Sequence, residues 1–136
     1  MQLAKLSGFS PIITTASKHN EALVKSLGAT HVIDRNTPLA QGIKAITSDP
    51  IKIVYDAISE TDTQNASYDV LAPGGKLILV LPLQVEKTKL TEDKELVDVY
   101  GTGHDPAQRS VGVSLYKNFT KLLESGEIKV RKIDVI

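Results

Sequence analysis

The side chains in this 136-residue chain that are able to bind or move a chemical group sit at the ends of apolar runs. Ser17-Lys18-His19 sets a hydroxyl, an ammonium and an imidazole directly after the β-branched run Ile12–Thr15. Arg35 follows a second run, His31–Asp34. Asp56-Ala57-Ile58 and Leu81-Pro82 close two more, Ile51–Tyr55 and Lys76–Leu81. Open α/β sheets hold their ligands at the carboxyl ends of strands, so these positions are the first to weigh, and Ser17-Lys18-His19 leads them. His104-Asp105, after Gly101-Thr102-Gly103, has the composition of an acid/base pair. Adjacent loop residues rarely face each other, however, and no Ser or Cys nucleophile setting accompanies this pair, so a surface turn is expected. His19 falls in the first turn of a helix, where the dipole disfavours imidazolium, and His31 falls within a strand. Three scattered histidines, no H-x-x-x-H spacing and no cysteine leave no expected zinc site.

The elements that must position these residues follow from periodicity and punctuation. Met1–Leu6 reads as the tail of a helix ending near Gly8, with no capping residue ahead of it. A helix of under two turns is not stable by itself, so the reading expects an upstream segment to be missing. Ile12–Thr15 reads as a strand. Ser17 is the expected N-cap of the next helix, Ala22, Leu23, Val24 and Leu27 are its apolar face, and Gly28 is its left-handed stop. His31–Ile33 then starts a strand that ends at Asp34. Strand, helix, glycine stop, strand is the pattern of a parallel βαβ unit. Pro38–Thr47 is an expected helix with Leu39, Ile43 and Ile46 inward and Pro38 in its first turn. Ile51–Tyr55 has the low polarity of a buried central strand.

Thr61 or Asp62 is the expected cap of a helix running to Leu71, with Ala66, Val70 and Leu71 toward the core. Pro73-Gly74-Gly75 marks a turn, and Lys76–Leu81 is a strand stopped by Pro82. Gln84–Lys94 is read as a loop or short edge strand and Val97–Gly101 as a further strand. Ser110–Ser125 is an amphipathic helix with the stripe Leu115, Phe119, Leu122 and Leu123, stopped by Gly126. Ile128–Ile136 is expected to be an extended tail. One α/β domain over residues 1–136 accounts for this order.

Composition narrows the function classes. Formal net charge is zero, so the chain has none of the basic excess that nucleic-acid binding normally requires. The clusters Glu92-Asp93-Lys94-Glu95 and Lys117, Lys121, Lys129, Arg131 and Lys132 read as solvated faces. Hydrophobic residues make up 41% and charged residues 24%, a balance that supports a folded core. The absence of cysteine excludes disulfides and thiolate metal ligation. No run approaches the roughly 20 apolar residues that span a bilayer, and no signal-peptide pattern opens the chain. A cytoplasmic protein with no membrane association is the expectation.

With these segments in place, the chain resembles the cofactor-binding half of the medium-chain dehydrogenase/reductase superfamily. Within it, the chain is similar to the fungal enoyl-reductase and quinone-reductase-like branch that carries the label zinc-binding dehydrogenase. The residues concerned are Gln2–Gly8 (QLAKLSG), Ile13–Ser17 (ITTAS), Val24–Asp34 (VKSLGATHVID), Ile53–Ser59 (IVYDAIS), Ala72–Pro82 (APGGKLILVLP), Tyr100–Asp105 (YGTGHD) and Leu122–Lys129 (LLESGEIK). Each phrase alone is common, but their order and spacing together are specific.

The resemblance implies a Rossmann-like, doubly wound, mostly parallel sheet that lacks its first strand and the G-x-G-x-x-G turn, since no such motif occurs in the chain. It implies NADP(H) as the cofactor, because Ser17 and Lys18 stand where NAD-preferring relatives place a carboxylate for the ribose 2′-hydroxyl. Arg35 would then stack on the adenine or pair with the 2′-phosphate. Asp56, Ile58, Leu81 and Pro82 match the family's floor beneath the adenosine and nicotinamide ends. No catalytic residue is carried over, and the family's zinc is not. Without the pyrophosphate turn, the expected cofactor affinity is weak and catalysis by the chain alone is not expected. A strand removed from the middle of the sheet would leave two open edges. The reading therefore expects either direct pairing of Ile12–Thr15 with Ile51–Tyr55 or strand exchange between chains. Self-association is the expected partner interaction, and a non-redox self-associating or partner-binding protein on the same scaffold is the alternative function.

Overall fold

The computed structural model describes residues 1–102 and 105–130. In chain order the elements are α1 (Gln2–Leu6), β1 (Ile13–Ala16), α2 (Glu21–Ser26), β2 (His31–Asp34), α3 (Leu39–Lys44) and β3 (Ile51–Asp56). They continue with α4 (Thr61–Val70), β4 (Leu71–Leu79), β5 (Glu95–Asp98) and α5 (Arg109–Glu124). Every strand pair among them is parallel, which gives the expected α/β, Rossmann-like class. Parallel neighbours cannot be joined by a tight hairpin, so the chain crosses back between them. It does so through α2, then α4, and finally through a segment whose only regular structure is a 3₁₀ turn at Lys87–Lys89. The chain forms two compact units, Arg35–Tyr100 and the remainder.

In the first unit, β1 and β2 pair from Ile13 beside His31 to Ala16 beside Asp34. Thr30 fixes the start of this register. Its Oγ1 accepts the Ile12 N–H at 2.8 Å and lies 3.0 Å from the Ile12 carbonyl, which also accepts the Thr30 N–H at 2.8 Å. The helix between the strands is shorter than its pattern suggests. A 3₁₀ turn at Lys18–Asn20 precedes α2, and Ala22 and Leu23 of its expected apolar face are exposed. Ser17 occupies the cap position with extended backbone, but its side chain makes no cap hydrogen bond. A 2.6 Å Glu21–Lys25 pair one turn apart supports α2. That hydrogen bond, followed by the charge of Lys25, holds the Glu21 carboxyl below its ordinary value. Its contribution is therefore present at neutral pH and disappears as pH falls through the lowered value.

Gly28 ends α2 at φ +107°, where an added Cβ would stand 3.3 Å from Lys5 Cδ of α1. The Gln2 side-chain amide pairs with the Lys129 backbone in both directions, accepting its N–H at 2.6 Å and donating to its carbonyl at 3.1 Å.

In the second unit the sheet order is β3-β4-β5, with β4 in the middle. Its core is Tyr68, Leu71, Leu77, Leu79 and Val85, with Val54 and Leu96 packed against it. Pro38 stands just ahead of α3 in extended conformation, and Gly42 is that helix's buried residue. Pro73-Gly74-Gly75 sits inside a register shift of the β3–β4 ladder. A Cβ at Gly75 would come within 2.8 Å of the Ala72 carbonyl, so no larger residue fits there.

Several expectations are corrected. β3 is an end strand, not a buried central one, and its Ile53 and Tyr55 are 47% and 59% exposed. Of its apolar side chains, Val54 packs against the core. The cap of α4 is Glu60, whose N–H donates to the Thr63 hydroxyl at 3.1 Å, rather than Thr61 or Asp62. β4 ends at Leu79, two residues early, and β5 starts two residues before its expected place. α5 matches its expected span but buries none of its residues. His104, Arg131 and Lys132, and most of the expected tail, lie outside the described residues. Among the described residues no helix is long and apolar enough to cross a membrane.

Gly28→Ala should cost at least about 1 kcal/mol of stability, since φ +107° excludes a side chain and Lys5 must also move. Urea unfolding measures this, and an unchanged midpoint would show that the α2 stop tolerates a Cβ.

Candidate functional site

All the candidate residues fall at or just past the carboxyl ends of strands, and each unit carries its own group. On the first unit, Ser17 and Lys18 follow β1 directly. Ser17 is half-buried and Lys18 exposed, and the Lys18 ammonium has no hydrogen-bond or salt-bridge partner among the described residues. Lys18 is near enough to Glu21 to help lower its carboxyl, as the weakest of the causes there. Arg35, the first residue of the second unit, is exposed immediately after β2 and also has no such partner among the described residues.

The second unit brings Asp56, Ile58, Leu81 and Pro82 together at one edge, through residues that the sequence reading passed over. β3 and β4 run level there, with Asp56 beside Leu79. Asp56 is buried, and its carboxylate holds the turn that follows it. Oδ1 accepts the N–H groups of Ile58 at 3.0 Å and Ser59 at 2.8 Å, and Oδ2 accepts the Thr63 hydroxyl at 2.7 Å. Ser59 is fully buried at φ +56°, a left-handed conformation that costs a non-glycine residue energy and needs compensation. Its hydroxyl supplies some: Oγ donates to the Asp56 carbonyl at 2.7 Å and accepts the Val80 N–H at 3.0 Å, tying the end of β3 to the end of β4.

Gln64, from the first turns of α4, completes the junction. Its Nε2 donates to the carbonyls of Ser59 at 2.9 Å and Pro82 at 3.0 Å, while its Oε1 accepts the Gln84 N–H at 2.7 Å. The buried face of α4 is thus Gln64, Asn65, Ser67 and Tyr68 rather than Ala66 and Val70, while the third residue expected toward the core, Leu71, does enter it. The signal for it was present as Asp56-x-x-Ser59, a spacing that lets a carboxylate cap its own turn, and as polar residues at helical spacing. Over this buried junction, Ile58 is 57% exposed and Leu81 48%, and Pro82, next to Leu81 in sequence, is exposed as well. The product is an apolar ledge with a polar, fully bonded support.

The chain has no cysteine, His19 and His31 are both exposed, and among the described residues no three His, Asp or Glu side chains converge. A shallow open depression on α5, lined by Ser110, Val111, Ser114 and Leu115, carries no charged group.

The sequence profile of the family described as zinc-binding dehydrogenase matches residues 1–81. Among curated proteins, the chain is 32% identical over its whole length to the trans-enoyl reductase FSL5 of Gibberella zeae, of which it covers 42%. Among solved structures, it is similar to a Rhizobium etli CFN 42 protein described as a zinc-dependent alcohol dehydrogenase. There the TM-score is 0.80 at 26% identity, over 95% of this chain and 40% of that one. It also matches the nucleotide-binding subdomain of the enoylreductase domain of PpsC from Mycobacterium tuberculosis, with a TM-score of 0.67 at 17% identity. That match covers 96% of this chain and 76% of the subdomain. The chain therefore spans about two fifths of the length of the curated relative and of the Rhizobium protein.

Ser59→Ala should destabilise the second unit by about 1–3 kcal/mol, because it leaves the Val80 N–H without its acceptor. Thermal unfolding followed by circular dichroism checks this. A change under about 0.5 kcal/mol would mean the hydroxyl bridge is dispensable.

Proposed function

The chain belongs to the zinc-binding dehydrogenase family of medium-chain dehydrogenases and reductases, and from that premise we propose that it is the nucleotide-binding part of an NADP(H)-dependent oxidoreductase of the enoyl- or quinone-reductase kind. The observation that carries the cofactor preference is Ser17-Lys18 at the carboxyl end of β1. An NAD-preferring site needs a carboxylate to accept from the ribose 2′-hydroxyl, whereas a 2′-phosphate needs donors. Ser17 offers a hydroxyl not spent on a helix cap, and Lys18 an ammonium with no ion-pair partner among the described residues. Arg35 adds a planar cation suited to a phosphate or to an adenine face. On the second unit, Ile58, Leu81 and Pro82 offer the apolar surface that a flat ring needs, and Asp56 serves by holding that ledge in shape.

Bound NADPH would supply the hydride of such a reaction. The residues in hand bind and orient it. No residue of this chain is assigned a proton-transfer step. The chain contains no G-x-G-x-x-G turn to offer helix N-terminal amides to a pyrophosphate. Nucleotide affinity of the chain by itself should accordingly be weak, and turnover by it alone is not part of the proposal. The names of the relatives, a trans-enoyl reductase and a nucleotide-binding subdomain, support this reading without fixing a substrate.

Lys18→Ala should weaken NADPH about tenfold, the loss of one charge-assisted contact, and leave NADH nearly unchanged. Calorimetric titration of both nucleotides against both proteins tests this, and equal losses would remove the 2′-phosphate assignment. Self-association belongs to the same proposal, since β1, β2, β3 and β5 are all end strands of their sheets. Light scattering should give a mass above that of one chain that falls on dilution. A single-chain mass at every concentration would contradict it.

A further inference from the structure

The crossover from β4 to β5 is held in an unusual way. Two of the backbone N–H groups of Gln84–Thr91 that this crossover uses as anchors, those of Gln84 and Glu86, bond to α4 amide side chains, and a third bonds to an α4 hydroxyl. Gln84 donates to Gln64 Oε1 at 2.7 Å, Glu86 to Asn65 Oδ1 at 3.1 Å and Thr91 to the Tyr68 hydroxyl at 2.8 Å. The Thr61 hydroxyl donates to Gln84 Oε1, and Lys89 Nζ reaches Asp69 Oδ2 at 2.9 Å. All of these anchors lie on α4. Val85 is the one apolar side chain of the segment that is buried, while Leu83 and Leu90 are exposed.

The ladder on either side is closed by its own pairs, with Val85 the one side chain of the segment that joins its core. β4 and β5 pair from Lys76 beside Glu95 to Leu79 beside Asp98, so the two ends of the crossover stay in register whether or not its middle touches α4. Lys94, at the far end, is fixed separately, with Nζ 3.0 Å from the Tyr68 carbonyl and 4.5 Å above the Tyr68 ring. Segments with few buried apolar contacts, bordered by elements that stay closed without them, are those that open locally.

We propose that Gln84–Thr91 is a strap that leaves α4 as one unit while the β3-β4-β5 ladder stays closed, with Gln64, Asn65 and Tyr68 as its latch. The strap starts two residues beyond Pro82, so it is the moving part beside the Ile58–Leu81–Pro82 ledge. The proposal does not depend on whether that ledge carries a nucleotide.

Tyr68→Phe is the probing variant, because it removes the hydroxyl latch and keeps the ring that fills the core beneath Lys94. Amide hydrogen exchange of the full chain, resolved by residue, reads the result. The amides of Gln84, Glu86 and Thr91 should exchange at least tenfold faster together, with Leu77 and Leu79 unchanged. Asn65→Ala, which cuts the latch elsewhere, should accelerate the same three. Acceleration confined to the amide whose own acceptor was deleted would overturn the unit. So would no acceleration, or an equal rise at Leu77 and Leu79, which would mean that the strap opens only when the sheet does.

Discussion

Parallel pairing is the constraint on which the rest of this structure depends. Two parallel neighbours leave their ends far apart, so the chain must return across the sheet before the next strand begins. Each return starts at a carboxyl edge. Ser17-Lys18 opens the return through α2, and Asp56–Ser59 opens the one through α4. Leu81-Pro82 opens the return that has no α-helix. The candidate residues are therefore not scattered along the chain. Topology places every one of them at the start of a crossover or, for Arg35, directly after a strand.

Holding such an edge in shape is a problem of backbone hydrogen bonding, because the groups beyond the last ladder pair have no strand to bond to. The second unit solves it with side chains. Asp56 accepts from its own turn, Ser59 bridges the two strand ends from a left-handed conformation, and Gln64 bonds to both sides of the gap. Among the described residues no buried side-chain polar atom is left without a partner. That completeness explains how a small unit with five buried core residues, Tyr68 among them, tolerates three buried polar residues, Gln64, Asn65 and Ser67, on one helix.

The features legible in the sequence were those set by local chemistry. Gly28 is left-handed, as its place after a helical run implied, and the strand–helix–strand grammar gave the parallel class. Phrases such as IVYDAIS and APGGKLILVLP carried the family. What depends on neighbours distant in sequence was not legible. β3 has the composition of a central strand, yet its place in the sheet is an end, because order is decided by which strands pair and not by apolar content. The buried face of α4 was missed for a related reason. Its polar residues bury only because the backbone of the strap arrives twenty residues later to use them. The site residues themselves were named by position, while Ser59 and Gln64, which hold four of them together, appear only when the edge is seen whole.

The central claim is that the carboxyl end of β1, at Ser17 and Lys18, receives the 2′-phosphate end of an NADP-type nucleotide. Amide chemical-shift mapping on the ¹⁵N-labelled chain tests it most directly. Titration with NADPH should move the resonances of Ser17 and Lys18 in a saturable way, and NADH should move them far less. Shifts absent up to millimolar nucleotide, or confined to residues away from the end of β1, would contradict the account.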